Sequence, residues 1–549
     1  MKVTKYAKEA KSELKLGIQE LTRAVGSTLG GAGQTVIIDT IHDQPFITAD
    51  GITVAEHFDL EMNPFQQMGV QLVKHVCRET NREAGDGTTT ATVLANAMLE
   101  NEHLIQGRSF SSVKKGMKAA MDRIMAHLSL NTKNVRNFSD LCNIATISAR
   151  NDKELGTLIA QAVEHAGEFG QVMVEEGKGE KDSLEFITGY SIPNGYISEF
   201  YANNKSKRIA EYKDAYVFAT DMEALIMDDF VRFLTRYTQH FANKGNNFKA
   251  PPLVIITPRL SESIMKLVMD NQVRGAIQTC LVEAPEFGAM RTKTIDDLLT
   301  FLGGKACLED SGVRMGDFEI ENLGKVDNFY ANHQMSVFTR DEQVDLSEYI
   351  AQIKETETNS DYKKKRVERL SGKLSKLIVV AGSPVEMQEK LDRVEDAKNA
   401  TKAALEGGYV VGGGLALLRA AQNISEMYND EDVSAGFELV RQACMVPFRT
   451  IVANLYREEI VNPPTSFIRS LFKRKNKHME ALIREVENSK NPDVGLDTKI
   501  NEMGDLLKKG IVDPVKVTKA ALKAATSVAS TILGTNCVIS IVGEQNANG

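Results

Sequence analysis

Asp86 stands between two glycines and in front of three threonines in the stretch AGDGTTTATVLANAM, residues 84–98. Free backbone N–H groups at a helix start, together with the helix dipole, favour a phosphate, and threonine hydroxyls add further donors. Asp86 would repel that phosphate unless a hard divalent ion such as Mg2+ bridged the two. On local chemistry alone the same residues read equally well as a capped helix, with Asp86 as N-cap and Thr88, Thr89 and Thr90 in solvent. Two more glycine clusters carry the same ambiguity. Gly30, Gly31 and Gly33 in STLGGAGQTVIID could let bare backbone approach a ligand or could form a flexible turn, and Gly412, Gly413 and Gly414 in VVGGGLALLRA open a helix. Asp50 beside Gly51 has the composition of a turn. Asp396 lies on a helix whose apolar stripe runs through Val394, Ala397, Thr401 and Leu405, which by itself makes it part of a solvated face. No G-x-x-x-x-G-K-[ST] pattern occurs, so a P-loop ATPase is not supported.

These residues need elements to hold them. Phe65, Met68, Leu72, Val73 and Val76 recur at helical spacing over 64–83, and Val93, Leu94, Ala97 and Met98 form the stripe of a following helix, so Gly85–Gly87 break two helices apart. QTVIID (34–39) reads as a buried strand. PFITADGITVA (45–55) has a β-branched run on each side of Asp50-Gly51 and predicts a hairpin-like turn. VDPVKVTKAALKAATSVASTIL predicts a helix with Asp513 as N-cap and Pro514 at its first position. EMQEKLDRVEDAKNATKAALEGG predicts a long amphipathic helix stopped by Gly407 and Gly408. LVIITP (253–258), CLVEAP (280–285) and KLIVVAG (376–382) alternate with helical stretches, an α/β pattern, with the basic piece DYKKKRVERL (361–370) marking its end. Helical ends around an α/β centre predict one domain inserted into another.

A chain of 549 residues needs more than one core. Hydrophobic residues at 42%, charged residues at 26% and a net charge of -8 fit a soluble globular protein and argue against affinity built on nucleic-acid phosphates. The cysteines (Cys77, Cys142, Cys280, Cys307, Cys444, Cys537) show no C-x-x-C pair, which speaks against a zinc site or a disulfide framework and for a cytoplasmic setting. The N-terminal stretch has no apolar signal core, and no apolar run reaches the length of a membrane span.

Taken together, AGDGTTTATVLA, TLGGAGQTVIID, ITADGITVA, TISARND, GYISEFY, EAPEFG, LTFLGG, SDY, RVEDAKNAT, GGYVVGGGLAL and GIVDPVKVT resemble the GroEL-type (group I) chaperonins, in the family's order and over essentially the whole chain. The resemblance implies a multidomain chaperonin fold, helical with an α/β insertion. Its equatorial domain would span 1–131 and 407–549, its intermediate domain 132–187 and 375–406, and its apical substrate-binding domain 188–374. It implies ATP-driven folding of non-native polypeptides by a homo-oligomeric ring of seven subunits, with ATP, Mg2+ and K+ as ligands and a GroES-type co-chaperonin as partner. By the same resemblance Thr28, Leu29, Gly30 and Gly31 approach the phosphates, Asp86 holds the metal, and Gly87, Thr88, Thr89 and Thr90 complete the cradle. Gly413 and Asp513 contact the nucleoside end. Asp50 and Asp396 match the acids that position or activate the attacking water, Asp396 arriving when the intermediate domain swings down. Tyr196, Phe200, Tyr201, Met265 and Met269 match apolar residues that bind client chains, and DDFVRFLTRYTQHF offers Phe230, Phe233, Leu234 and Tyr237 to the same surface.

Several positions depart from the family. The lysine usual before Asp-Gly is Ala49, which removes a cation expected near the terminal phosphate; Gly31-Ala32 replaces Pro-Lys, and Arg150 displaces an asparagine. Asp497-Thr498-Lys499 replaces Asn-Ala-Ala near the adenine, after a longer basic segment, RSLFKRKNKHMEALIREVE. Asp270 stands where an apolar binding residue is usual, and the tail GEQNANG lacks Gly-Met repeats. A ring that holds unfolded chains with little ATP turnover is therefore the alternative reading. An unrelated phosphotransferase would need an acceptor site that the sequence does not offer.

Overall fold

The computed structural model describes residues 2–39, 46–59, 63–150, 152–167, 170–177, 179–205, 208–223, 225–242, 250–333, 335–340, 344–425, 428–456 and 478–541. The chain divides into two compact units, one built from residues 1–164, 174–183 and 378–549, the other from 165–173 and 184–377.

In the first unit, strand β1 (Lys2–Tyr6) pairs antiparallel with the last strand, β16 (Cys537–Ile541), which ties both chain ends together. Helices α1 (Ala7–Gly26) and α3 (Pro64–Ala84) cross closely, because Gly17 and Gly69 leave room where a Cβ would strike Gln66 O or Leu14 O. Short strands β2 (Val36–Ile38) and β3 (Phe46–Thr48) pair antiparallel, and α2 (Gly51–His57) follows. Helix α4 (Thr88–Glu100) is buried on nearly every side through Ala91, Val93, Leu94, Ala95, Ala97, Met98 and Leu99. An all-round apolar helix belongs at the centre, and α1, α3 and the equally buried α18 (Val515–Gly534) pack around it. Helix α5 (Phe110–Leu130) packs on α18, and α6 (Phe138–Ser148) is followed by α7 (Lys153–Ala166), whose Gly156 abuts Thr146 of α6. The long helix α13 (Pro384–Gly407) starts at a Ser383 cap, packs on α6 and ends at Gly408, whose φ of 78° is a glycine conformation. Strand β12 (Tyr409–Val411) then pairs with β15 (Val512–Pro514). Between them come α14 (Leu415–Asn423), α15 (Glu431–Ala443), α16 (Val446–Leu455), α17 (478–487) and the hairpin of β13 (Val494–Asp497) and β14 (Glu502–Asp505).

The second unit is a mixed sheet with helices. Its strand order is β5 (Ser183–Ile192), β10 (Ser336–Thr339), β9 (Gly324–Ala331), β6 (Ala210–Ala219), β7 (Leu253–Thr257), β8 (Thr279–Glu283), extended beyond β5 by β11 (Lys373–Val379) and β4 (Gln171–Glu176). β6, β7 and β8 are parallel and linked through α8 (Met227–Ala242) and α9 (Glu262–Val273). Every residue of β7 is buried, which explains its unbroken apolar run. Helices α10 (Gly288–Phe301), α11 (Ser347–Thr356) and α12 (Ser360–Leu370) share a buried ionic network. Arg366 makes a two-pronged contact to Asp297 at 2.7 and 2.8 Å, Lys293 pairs with Glu357 at 2.7 Å, and Lys365 pairs with Glu286 at 2.6 Å.

Several sequence expectations change. QTVIID forms a strand only over Val36–Ile38, and it is not buried: Ile37 is 70% exposed. Residues 46–55 are not a hairpin about Asp50-Gly51. Residue 45 lies outside the described residues, and Asp50 is the N-cap of α2, its carboxylate accepting from the N–H groups of Ile52 and Thr53. Burial of Val54 and Ala55 decides for helix over the β-branched run. The last helix begins one residue late, with Pro514 as N-cap and Asp513 inside β15. The basic piece at 361–370 is not a spacer, since it forms most of α12 and carries Arg366 and Arg369 into the network. Residues 469–477 of the longer basic segment and the tail GEQNANG lie outside the described residues. Among the described residues no helix is long and apolar enough to cross a membrane.

Candidate functional site

Helix α3 stops because Gly85 turns left-handed at φ 70°, and α4 starts after Gly87 at φ 87°. Gly87, not Asp86, is the N-cap, and it has no side chain to cover the first N–H groups of α4. Asp86 instead accepts from Gly87 N–H within the turn. The start of α4 is thus an uncovered row of donors from Thr88, Thr89 and Thr90, with Thr88 buried and the other two half-buried. The chain after α1 closes one side: Thr28 Oγ1 lies 3.5 Å from Thr89 Oγ1 and bonds Val25 O at 2.9 Å. Asn454 of α16 holds this Thr28–Gly31 loop from behind, its Nδ2 donating to Gly26 O and Leu29 O, both at 2.9 Å. Gly31 in turn borders Thr498, since a Cβ there would come 3.1 Å from Thr498 Oγ1. Gly51 is required as well, because any Cβ would strike Thr89 Oγ1.

Carboxylates converge on this turn from far apart in sequence. Asp50 comes from the start of α2, Asp86 from the turn, Asp396 from α13, and Asp513 from β15, where it sits opposite Val410 and beside Gly412–Gly414. Asn399 Nδ2 donates to Gly85 O at 3.2 Å and fastens α13 to the turn. Loss of water and the charge of Asp50 raise the Asp86 carboxyl above the usual carboxylate range. Loss of water, then Asp86 and Asp50, raises Asp396 well above it. Asp513 is pushed up to about 7 by loss of water and by Asp86, with the Gly414 N–H opposing. Among the described residues, no Lys or Arg lies within ion-pair distance of these four acids, and Ala49 supplies no charge beside Asp50.

Such a donor set suits a phosphate that shares a cation with the acids, since among the described residues no three His, Cys, Asp or Glu side chains could hold a metal ion by themselves. Uncovered N–H groups and hydroxyls attract an anion, and mutually repelling carboxylates beside them call for a hard cation that also binds phosphate oxygen. Sequence reasoning placed Thr28, Leu29, Gly30, Gly31, Gly87, Thr88, Thr89, Thr90, Gly413, Asp50, Asp86, Asp396 and Asp513, and the structure brings these together within the first unit. It missed Asn454, for which no local signal exists. It also missed Asp392, four residues before Asp396 and on the same helical face.

The apolar residues matched to client binding divide differently. Tyr196, Tyr201, Phe230, Phe233, Leu234 and Tyr237 are buried in the core of the second unit, not on its surface. The physical reason lies in α8, whose residues 230, 233, 234, 237 and 241 form one stripe that packs beneath the sheet. Burial of each large apolar side chain is worth about 1.5–3 kcal/mol. Phe200 is 40% exposed, and Met265 and Met269 are half-buried, so these three remain accessible.

The family model of the TCP-1/cpn60 chaperonin family matches residues 21–542. Among solved structures, the chain is similar to the chaperonin gp146 from the bacteriophage EL 2 (Pseudomonas aeruginosa) in presence of ATP-BeFx. In crystal form II the TM-score is 0.73 at 20% identity, covering 99% of this chain and 100% of that one. In crystal form I it is 0.65 at 20% identity, covering 99% of both. At that identity the likeness establishes the fold, a helical chaperonin fold with an α/β insertion. The match of the family model over nearly the whole length places the chain in the TCP-1/cpn60 chaperonin family.

Proposed function

We propose that this chain is an ATP-hydrolysing chaperonin subunit, acting in a cytoplasmic homo-oligomeric ring that captures non-native polypeptides and promotes their folding. The observation that carries the reading is the convergence of unpaired carboxylates on the uncovered N-terminus of α4. In this reading Thr88, Thr89 and Thr90 bind the phosphates with Gly87 and the Thr28–Gly31 loop, while Gly413 and Asp513 face the nucleoside. Asp86 would hold Mg2+, which supplies neutralisation of phosphate charge when bound. Asp50 is fixed by its own capping bonds to Ile52 and Thr53, so its carboxylate is preorganised to orient a water. Asp396 has a raised proton affinity and accepts the proton that the attacking water releases. We assign 1–131 and 407–549 to an equatorial domain, 132–187 and 375–406 to an intermediate one and 188–374 to an apical one. Accessible Phe200, Met265 and Met269 are the client contacts retained in this reading. Seven-subunit rings and a GroES-type partner follow from the resemblance alone.

A holding ring with weak turnover is the second reading, favoured by Ala49 and by Asp497-Thr498-Lys499 beside Gly31. Phosphate release and refolding of a denatured client, measured for wild type and Asp396→Ala, separate the two. The first reading expects the variant to bind ATP but to lose turnover by roughly 100-fold or more, together with refolding. Wild type that protects clients without nucleotide-dependent refolding establishes the second.

A further inference from the structure

Helix α13 brings a second acid to the site. Asp392 lies one turn before Asp396 on the same face, half-buried, with Gln388 Nε2 donating to its Oδ1 at 2.8 Å. The charged groups that face it are Asp50 from the start of α2, Arg150 from the end of α6, and Glu389 and Asp396 from α13 itself. Arg150 holds a left-handed backbone, φ 57°, rare for a residue with a side chain. From there its guanidinium donates to Glu389 Oε1 at 3.0 Å, and Glu389 also pairs with Arg393. Among the ties that fasten α13, which include Lys390 to Asp182 and Glu406 to Lys516, those of Arg150 to Glu389 and of Asn399 to Gly85 O bracket this stretch. Between them, Asp392 and Asp396 are held toward like charges.

We propose that Asp392 and Arg150 are an opposed pair of positioning residues that sets how tightly α13 docks on the nucleotide site, and hence where Asp396 stands. The inference rests on the nucleotide reading for its consequence, although the charge device itself is a property of the first unit. Ionised Asp392 repels Asp50 and opposes docking; Arg150 draws Glu389 and offsets part of that repulsion. Loss of water, with Asp50 and Glu389, pushes the Asp392 carboxyl up to about 6, against the pull of Arg150. Docking is thus relieved of this repulsion in acid and opposed by it above neutrality.

Amide hydrogen exchange of α13 and the Gly85–Thr90 turn in the full chain, without nucleotide, tests the device. Wild type, Asp392→Asn, Arg150→Ala, Arg150→Lys and the Asn/Ala double variant are compared at matched pH. At about pH 8, Asp392→Asn should slow opening of α13 on the order of fivefold, and Arg150→Ala should speed it by a similar factor. Arg150→Lys should restore most of the protection, and the double variant should lie near wild type. As pH falls from about 8 to about 4, into the usual aspartate range where the undocked carboxyl also protonates, the difference between Asp392→Asn and wild type should shrink toward nothing. An Asn variant equal to wild type at about pH 8, a difference that persists in acid, or an Arg150→Ala variant with unchanged exchange overturns the proposal. Wild type that binds no ATP in calorimetry would overturn the proposed function, while the exchange comparison would still decide this inference.

Discussion

The acids around the α3–α4 turn and those shared by α10, α11 and α12 are the same side chains in opposite surroundings. In the second unit three acids of the network have a cation: Asp297 grips Arg366, Glu286 meets Lys365 and Arg369, and Glu357 meets Lys293, while Asp296 accepts from the Tyr349 hydroxyl. Lys293 holds Glu357 below the usual carboxylate range, and Lys365, Thr294 and Arg369 hold Glu286 below it despite burial. In the first unit loss of water raises Asp86, Asp396 and Asp513, and like charges add to it: Asp50 at Asp86, Asp86 and Asp50 at Asp396, and Asp86 at Asp513. The paired network is complete in itself and fixes three helices. The repelling group has no Lys or Arg partner among the described residues, and in the proposed reading Mg2+ would supply that charge. Paired and repelling acids thus occupy different units, and the repelling set is the arrangement expected where function needs an unfavourable charge distribution.

Removing one charge from each region should therefore have opposite effects. Arg366→Ala leaves Asp297 buried without its partner and should destabilise the second unit by about 3–5 kcal/mol, read by urea unfolding. A loss under about 1 kcal/mol would mean that the network is not structural. Gly51→Ala should come next. Its Cβ strikes Thr89 Oγ1, so overpacking of about 1–3 kcal/mol and weakened ATP binding are expected together; a variant with normal ATP affinity would remove Thr89 from the cradle.

The pH responses should also diverge. Asp392 and Asp513 have folded values raised to about 6 and about 7, so the stability they contribute is present below the usual carboxylate range and is lost as pH rises through those values. Glu286 and Glu357 have lowered values, so theirs is present above the usual glutamate range and is lost as pH falls through the lowered ones. Exchange protection measured near pH 4 and pH 8 should move in opposite directions in the two units. Parallel trends would dissolve the comparison. Asp396→Asn, which removes repulsion and no ion pair, should stabilise the nucleotide-free first unit by up to about 1 kcal/mol. Ala49→Lys is expected to have the smallest effect, a few-fold rise in ATP turnover from one added cation beside Asp50; no change would show that Ala49 is not what limits turnover.

Where the sequence was legible, the reason was local. Gly85, Gly87, Gly408 and Gly414 all adopt left-handed backbone at helix ends, and glycine at the end of an apolar periodicity announces that. The stripe at 230, 233, 234 and 237 was equally readable as core, and the resemblance drew those residues to the surface against their own periodicity. Asp50-Gly51 misled because a turn and a helix cap use the same residues, and only packing of Val54 and Ala55 distinguishes them. DYKKKRVERL reads as a boundary piece because its acidic partners, Asp297 and Glu286, are about 70–80 positions away in sequence. Asn454 bonds to carbonyls more than 400 positions away and cannot be read from its neighbours.

The central claim is that the carboxylate group at the α3–α4 turn accepts ATP only with a cation between acid and phosphate. Calorimetric titration of ATP into the wild-type protein, with Mg2+ and with the metal chelated, tests it most directly. The account predicts binding with Mg2+ and at least a roughly tenfold weaker affinity without it, because unshielded phosphates would face Asp86, Asp50 and Asp396. Equal affinity in the two titrations would contradict it.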